Sequence, residues 1–255
     1  MADSRRASVG RDVIVIGGLV VIAVALILVL VMNAKADVGP ADAPAPAASA
    51  LEPSAGDPSA EAPAPAAGGD TSALAVERRV ADDPLALGDP AAPVVMVMFA
   101  DYRCPFCAKF SRDTEPVLVD RFVDAGILRI EWRDLPIFGD QSMQAARAGR
   151  AAAAQGKFWE FNRAVFAAAP DRGHGDLTDD ALLGFAREAG VADLERFAAQ
   201  MRSSEFDAAI DADLAQGTGI GVPSTPAFVL NGVPMLGAQP TEVFVAAVNE
   251  AAAAA

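Results

Sequence analysis

The hydrophobic and polar positions of this sequence predict an alternation of strands and helices. Val94 to Ala100 is a continuous apolar run of strand length, typical of a central strand covered on both faces. A helix is predicted from Pro105 to about Asp124, with a kink at Pro116. Ile127 to Leu135 then alternates apolar and charged residues with the period of a strand. This order predicts a β-α-β unit, the beginning of a parallel sheet, with Leu85 to Gly88 as a short edge strand.

The pattern becomes helical at about residues 140–218 and then returns to strands. The helices predicted there are Ser142–Gln155, Lys157–Ala168, Thr178–Glu188, Ala192–Met201 and Glu205–Gln216. In the last of them Phe206, Ile210 and Leu214 recur every four residues and are expected to face the core. Asn231-Gly232 separates two short apolar runs, which is a strong hairpin signal.

The end of the chain is predicted from its prolines and alanines. Pro234 lies in the second run of the hairpin, and a proline there requires an edge strand. Pro240 and Thr241 then begin a last amphipathic helix through Val248, and the terminal alanines are expected to fray. The folded domain is therefore predicted to span residues 76–255, with the helices at about 140–218 as an insertion.

The N-terminal segment has a different pattern. Residues 13–34 carry no charge and are long enough to cross the roughly 30 Å hydrocarbon core of a bilayer. Three arginines precede them, so residues 1–12 are predicted to be cytoplasmic. The protein is then predicted to be a single-pass membrane protein whose remaining residues lie outside the cytoplasm. A signal peptide cleaved after Ala36 is the alternative, although its apolar region is normally only about 7–15 residues long.

Residues 35–75 are rich in Ala, Pro, Gly, Ser and Asp and almost lack large apolar side chains. Such a segment cannot bury enough surface to offset the entropy of ordering itself, so a disordered linker is predicted. A flexible coil of about 40 residues has an end-to-end distance of roughly 35 Å. The linker is expected to hold the domain off the membrane while keeping it near membrane partners.

The number of cysteines and the net charge restrict the classes of function that this protein can have. Cys104 and Cys107 are the only cysteines, and His174 is the only histidine. A structural zinc site needs about four ligands, so no metal is expected. A purely structural disulfide is also not expected, because closing so small a loop constrains the unfolded chain little. The pair is therefore predicted to be a redox-active disulfide that needs no cofactor. The net charge of −14 argues against nucleic acid as a partner, because phosphate binding requires a basic surface.

The two cysteines have different predicted roles. Cys104 lies at the start of the helix, where free N–H groups and the helix dipole stabilise a thiolate, so it is predicted to be an ionised and reachable nucleophile. Cys107 lies one turn inside the helix and is expected to be the more buried, resolving thiol. Pro105 suits the first helical turn, where no backbone donor is needed.

Three charged residues are open to more than one interpretation. Arg103 and Lys109 either add positive potential near the cysteines or are ordinary solvated charges. Asp101 either assists proton transfer or caps a loop. His174 lies in a Gly-rich loop and is interpreted as a surface residue without a role, and the aromatic residues of the insertion are expected to pack in the core.

The sequence contains, in order, CPFC after an apolar strand, a helical insertion, and Thr-Pro before an Asn-Gly hairpin and a final helix. This order of motifs resembles the thioredoxin superfamily, in particular its DsbA-type exported thiol-disulfide oxidoreductases. The resemblance covers roughly residues 85–248. It implies an α/β thioredoxin-like fold and a cis-proline at Pro226, beside the cysteines, rather than at Pro223. A cis bond there exposes the backbone of Thr225 for pairing with an extended substrate. A plain trans turn is the alternative.

Two departures from the DsbA pattern affect the predicted direction of electron flow. Phe106 occupies the place of a histidine that stabilises the thiolate, so a less oxidising disulfide is expected. Met98 occupies the place of a buried acid. The resemblance implies a monomeric oxidase that gives disulfides to reduced exported proteins and is re-oxidised by a quinone-linked membrane protein of the DsbB or vitamin-K-epoxide-reductase type. A reductase or isomerase and a non-catalytic binding or chaperone module are the alternatives.

Overall fold

The strand predicted from the continuous apolar run lies at the centre of a five-stranded sheet in the computed structural model, which describes residues 74–255. The order across the sheet is β1-β3-β2-β4-β5. β2 and β3 are parallel, as the β-α-β pattern predicts, and the other neighbours are antiparallel. The strands are β1 (Ala86–Leu87), β2 (Val94–Ala100), β3 (Leu128–Asp134), β4 (Ala227–Leu230) and β5 (Val233–Leu236).

Helices cover the sheet and fill the span of the predicted insertion between β3 and β4. Those of the described residues are α1 (Pro105–Asp113), α2 (Glu115–Leu118), α3 (Asp140–Ala153), α4 (Phe158–Ala168), α5 (Asp179–Glu188), α6 (Leu194–Met201), α7 (Asp207–Gly219) and α8 (Thr241–Ala254). A π-helical turn, Val119–Val123, follows α2. Thr178 begins α5 as predicted, because its hydroxyl accepts a hydrogen bond from the Ala181 N–H at 3.3 Å.

β2 contributes to both sides of the sheet because successive side chains of a strand point to opposite faces. Met96 and Met98 pack into the larger core, which also contains Cys104 and Cys107. The alternate residues of β2 pack into a smaller cluster on the other side, formed by Val76, Val95, Val97, Phe99, Leu135, Ala227 and Val229. The central strand is therefore covered on both faces and holds the turn that follows it in a fixed position.

Two helix predictions are corrected by the structure and a third is confirmed. The helix after Cys104 breaks at Thr114, two residues before Pro116, because a proline offers no N–H for the preceding turn. The last helix continues through the terminal alanines to Ala254 instead of fraying after Val248, in keeping with the high helix propensity of alanine. The prediction for the helix near residue 210 is confirmed, because Ile210 is fully buried and the half-buried Phe206 and Leu214 also pack against the core.

The predicted hairpin joins β4 and β5. Asn231 and Gly232 have φ values of 43° and 85°, the positive pair that a tight two-residue hairpin turn requires. Pro234 lies in β5, which pairs with β4 alone and forms the edge of the sheet, as predicted. This hairpin fixes the segment that immediately precedes β4.

β3 is the strand that its alternation predicts, but its charged side is also buried. Arg129 and Arg133 donate to the Glu131 carboxylate at 2.9 and 2.8 Å, and the backbone N–H groups of Arg78 and Arg79 donate to it at 2.9 and 2.8 Å. Burial alone would raise the pKa of Glu131, but these four donors lower it to about 2. An ionic layer thus lies where a solvated strand face is expected.

The predicted cytoplasmic segment, membrane anchor and nearly all of the linker, residues 1–73, lie outside the described residues. Among the helices that the structure describes between residues 74 and 255, none has the length and apolar character needed to cross a bilayer.

Candidate active site

The cysteine pair lies where the central strand passes into α1. Cys104 is the N-cap residue of α1, with an extended backbone at φ −77° and ψ 118°, and Pro105 occupies the first helical turn. The Cys104 N–H donates to the Asp101 carbonyl oxygen at 3.1 Å, which closes the turn between strand and helix. Cys107 follows one turn later on α1. The two sulfur atoms are thus carried on one rigid connection.

Both thiols are buried, Cys104 more deeply than the sequence suggests. Cys107 is fully buried, and Cys104 is only 2% exposed. Cys104 nevertheless lies in the wall of an open cavity of about 590 Å³, so a partner reaches its sulfur through this cleft. The other residues lining the cleft are Pro105, Phe106, Phe138, His174, Ser224, Thr225, Gly237, Ala238 and Gln239.

The environment of the pair favours one thiolate and one thiol. A hydrogen bond from Cys107 is the main cause that lowers the pKa of Cys104 to about 6, opposed by burial and assisted by Thr225 and by the backbone N–H groups of Cys107 and Phe106. Burial and the adjacent Cys104 raise the pKa of Cys107 well above its ordinary value. At neutral pH Cys104 is therefore ionised and Cys107 holds its proton.

The segment before β4 completes the site. The Thr225–Pro226 peptide bond is cis, at the position that the family resemblance indicates, and Pro223 is preceded by a trans bond. The Cys104 sulfur lies 3.2 Å from the Thr225 carbonyl oxygen, to which it donates only while it carries its proton. The Thr225 hydroxyl is buried without a hydrogen-bond partner among the described residues, which leaves it available to the Cys104 thiolate. The predicted pairing of Thr225 with a substrate backbone stays a prediction.

Asp101 is buried and organises loops. Its carboxylate accepts hydrogen bonds from the backbone N–H groups of Arg103 at 2.8 Å, Ile137 at 2.7 Å and Phe138 at 3.2 Å. Burial raises its pKa despite these donors. Both carboxylate oxygens of Asp101 are thus directed at backbone donors. This is the geometry of a loop cap, one of the two roles predicted for Asp101. Met98, at the place of the family's buried acid, packs in the core.

Arg103 joins the cysteine turn to two distant loops. Its Nη1 donates to the Phe138 carbonyl oxygen at 2.6 Å, and its Nε donates to the Gly175 carbonyl oxygen at 3.0 Å. Its own carbonyl oxygen lies 3.1 Å from His174 Nδ1. Lys109 instead pairs with Asp113 at 2.6 Å on an exposed helix face, as an ordinary solvated charge does.

Sequence reasoning missed Phe138 and His174 as residues of the cleft. Their rings stack with centroids 4.2 Å apart, and both line the cavity beside Cys104. His174 is separated from Cys104 by 70 residues, and no local motif marks its loop. Hydrogen bonds of Arg103 and Arg112 across long sequence distances hold that loop beside the cysteine helix, so a sequence pattern contained no signal for it.

Phe106 lies beside Cys104 at the mouth of the cleft. Its side chain is 60% exposed, an unusual state for a large aromatic residue. Among residues 74–255, no three or more His, Cys, Asp or Glu side chains are grouped so as to hold a metal ion. The described chemistry of the cleft is thus that of thiol, hydroxyl and imidazole groups beside an apolar surface.

Comparisons with known proteins define the family. A family model described as thioredoxin matches residues 81–250. A solved thioredoxin-like oxidoreductase from Silicibacter pomeroyi DSS-3 is 32% identical, with 68% of this chain and 98% of that chain covered and a TM-score of 0.56. Oxidised BdbD from Bacillus subtilis is 22% identical, with 68% and 94% covered and a TM-score of 0.63, and shows the fold alone.

Curated relatives include a disulfide bond formation protein and a longer antiporter chain. The "Probable disulfide bond formation protein D" of Bacillus cereus is 27% identical over 150 residues, 58% of this chain and 69% of that protein. The "Na(+)/H(+) antiporter NhaA 1" of Mycobacterium sp. (strain KMS) is 36% identical over 148 residues, 57% of this chain. This chain spans only 23% of that antiporter's length.

The chain belongs to the thioredoxin family. The family model confirms the predicted thioredoxin family. The solved DsbA- and BdbD-type structures, at 22% identity, show the predicted α/β thioredoxin-like fold with helical content. The solved relative of 32% identity is described as an oxidoreductase and the Bacillus cereus relative as a probable disulfide bond formation protein. The predicted enzyme class, thiol-disulfide oxidoreductase, agrees with both descriptions.

Proposed function

We propose that this protein is an extracytoplasmic oxidase that transfers its Cys104–Cys107 disulfide to reduced, exported proteins. The observation that carries the proposal is the geometry of the pair: Cys104 is the N-cap of α1 in the wall of an open cleft, beside Cys107 and Thr225, and its pKa is lowered to about 6. A stabilised thiolate stabilises the reduced protein, and a disulfide whose reduced form is stabilised is a strong oxidant. Because Cys107, Thr225 and backbone N–H groups supply this stabilisation, it does not require a histidine at position 106.

The proposed exchange proceeds in two steps. A substrate thiolate attacks the Cys104 sulfur, a substrate–Cys104 disulfide forms, and the bond to Cys107 breaks, leaving the electron pair on Cys107, which takes up a proton. A second thiolate of the substrate then attacks the substrate sulfur of the mixed disulfide. Cys104 is released as a thiolate, which is a good leaving group because its pKa is about 6. The substrate gains a disulfide and the enzyme gains two electrons. A quinone-linked membrane protein of the DsbB or vitamin-K-epoxide-reductase type is the proposed acceptor of these electrons.

The reduction potential tests the direction of exchange. We expect equilibration with glutathione to place the Cys104/Cys107 couple well above the roughly −270 mV of thioredoxin. A value near or below that figure would indicate the alternative, a reductase or isomerase. Retention of function by the Cys104→Ser variant in cells would instead support a non-catalytic module.

The location is part of the proposal and rests on residues 13–34. We propose that this segment anchors the protein in the cell membrane with the catalytic domain outside, and that the domain acts as a monomer. Carbonate washing of membranes from cells producing the full chain is expected to leave the protein in the pellet. Release into the wash, with a mature N-terminus after Ala36, would show a cleaved signal peptide instead.

A further inference from the structure

Besides Cys104, the cleft contains one titratable side chain, the imidazole of His174. The other residues of its lining are apolar, hydroxyl or amide residues. The loop that carries His174 joins α4 to α5 and is exposed, so its ring is open to a substrate that enters the cleft. The dipeptide between the cysteines, Pro105-Phe106, contains no group that exchanges protons. His174 is thus the side chain of the cleft, besides Cys104, whose chemistry allows it to accept a proton.

The hydrogen bond to Arg103 defines which nitrogen of the ring is free. The partner of His174 Nδ1 is the Arg103 carbonyl oxygen at 3.1 Å, and a carbonyl oxygen can only accept. Nδ1 therefore carries the proton in the neutral ring, and Nε2 has the free lone pair. Since Arg103 directly precedes Cys104, this bond also fixes the imidazole relative to the reacting sulfur.

Two further contacts hold the ring in place. It stacks on Phe138 at 4.2 Å between centroids, and the next residue of the loop, Gly175, accepts from Arg103 Nε at 3.0 Å. Phe138 is in turn held by Asp101 and Arg103. The charged groups around the ring on these elements and along its own loop are Asp101, Arg103, Asp171, Arg172 and Asp176.

We infer that His174 is a further catalytic residue of the exchange, the base that takes the proton of the incoming substrate thiol. The inference rests on the proposed oxidase function. His174 Nε2 accepts the proton while the substrate sulfur forms its bond to Cys104, the Cys104–Cys107 bond breaks, and Cys107 leaves with the electron pair. Cys107 then takes up a proton, and His174 releases its own to water, so protons and electrons balance.

The test is the pH profile of peptide oxidation. A substrate thiol of ordinary pKa, about 8.5, is only about 1% ionised at pH 6.5, whereas above pH 9 it ionises unaided. Asparagine at position 174 keeps a donor for the Arg103 carbonyl but provides no base. With the oxidised full chain and a cysteine-containing peptide in single turnover, His174→Asn is expected to be about tenfold slower at pH 6.5 and equal to the unmodified chain at pH 9.

Controls separate this inference from a structural effect and from the proposed function. Asp176→Asn removes a charge from the same loop outside the cleft and is expected to leave the profile unchanged, and His174→Gln is expected to behave as His174→Asn. An equal slowing at all pH values, or no slowing at pH 6.5, would overturn the inference. Failure of the unmodified chain to oxidise the peptide at pH 9 would overturn the proposed function instead.

Discussion

At the residue scale, the geometry assigns Cys107 a second task besides resolving mixed disulfides. Its thiol donates to Cys104, and this contact is the main cause of the lowered Cys104 pKa. A residue that serves first as a donor and later as a nucleophile must keep its proton at neutral pH. Burial ensures this by raising the pKa of Cys107.

Replacement of Cys107 by alanine is therefore expected to raise the pKa of Cys104 above 6, because the main donor to the thiolate is lost. In the unmodified reduced protein, the rate of Cys104 alkylation by iodoacetamide is expected to rise with a midpoint near pH 6. The variant is expected to show a midpoint shifted to higher pH, measured by mass spectrometry across pH 4–9. An unchanged midpoint would show that the remaining donors suffice.

The same variant tests the assigned roles of the two sulfurs in cells. Without Cys107 no resolving thiol is present, so Cys104 is expected to accumulate in mixed disulfides with exported proteins. Non-reducing gels of alkylated extracts measure these adducts. Cys104→Ala with Cys107 retained is the control, and adducts of that variant, or none with Cys107→Ala, would contradict the assignment.

At the element scale, α3 approaches the aromatic cluster next to the cysteine turn at a glycine. A Cβ on Gly149 would lie 3.0 Å from Cζ of Tyr102 and closer still to its hydroxyl oxygen. Tyr102 is buried and stacks on Phe166 at 5.5 Å between centroids, so it has little room to move. A glycine in the middle of a helix is thus required by packing.

Gly149→Ala and Gly184→Ala form a matched pair that isolates this steric effect. Both lie inside helices and gain about 1 kcal/mol of helix propensity, but a Cβ on Gly184 meets nothing within 4 Å. Urea unfolding is expected to show Gly184→Ala stabilised and Gly149→Ala less stable than that variant by about 1 to 3 kcal/mol. Equal stabilities would mean that Tyr102 relocates freely.

The ionic layer on β3 supports a second prediction at this scale. Glu131 is fully buried and its carboxylate neutralises Arg129 and Arg133, so Glu131→Gln would leave buried positive charge without a partner. A loss of about 3 to 5 kcal/mol in unfolding free energy is expected. Asp113→Asn, which breaks the exposed pair with Lys109, is the control and is expected to cost below about 1 kcal/mol. Similar losses in the two variants would contradict a special role for burial.

At the scale of the whole molecule, the lowered Cys104 pKa links redox state to stability. The pKa of Cys104 in the folded state lies below the ordinary thiol pKa. The thiolate therefore stabilises the folded protein fully at pH values above the ordinary thiol pKa, and this stabilisation is lost as the pH falls towards 6. The reduced protein is therefore expected to gain up to about 1.4 kcal/mol per pH unit between pH 6 and about 8.5 relative to the oxidised protein, which has no free thiol. Urea unfolding of both forms at several pH values measures the difference. If the unfolding free energies of the reduced and oxidised forms changed equally with pH, the argument for a strong oxidant would fail.

The sequence by itself determined the elements whose signals are local. The apolar run of β2, the alternation of β3 and the Asn231-Gly232 turn each predict their own structure, because burial on two faces, strand period and positive φ act within a few residues. The two cysteines likewise identified the chemistry through their spacing and their place at the start of a helix.

Only the tertiary structure decided what surrounds Cys104. The thiol lies in a cleft wall instead of at an exposed helix mouth. The Thr225 carbonyl oxygen lies 3.2 Å from its sulfur and the His174 ring lines the same cleft, from positions 121 and 70 residues away in the sequence. Burial of the charged face of β3 was equally invisible, since its partners Arg78 and Arg79 come from a distant segment. The physical reason is common to these cases: pKa values, cavities and buried charges depend on groups that approach through space, and a local pattern contains no record of them.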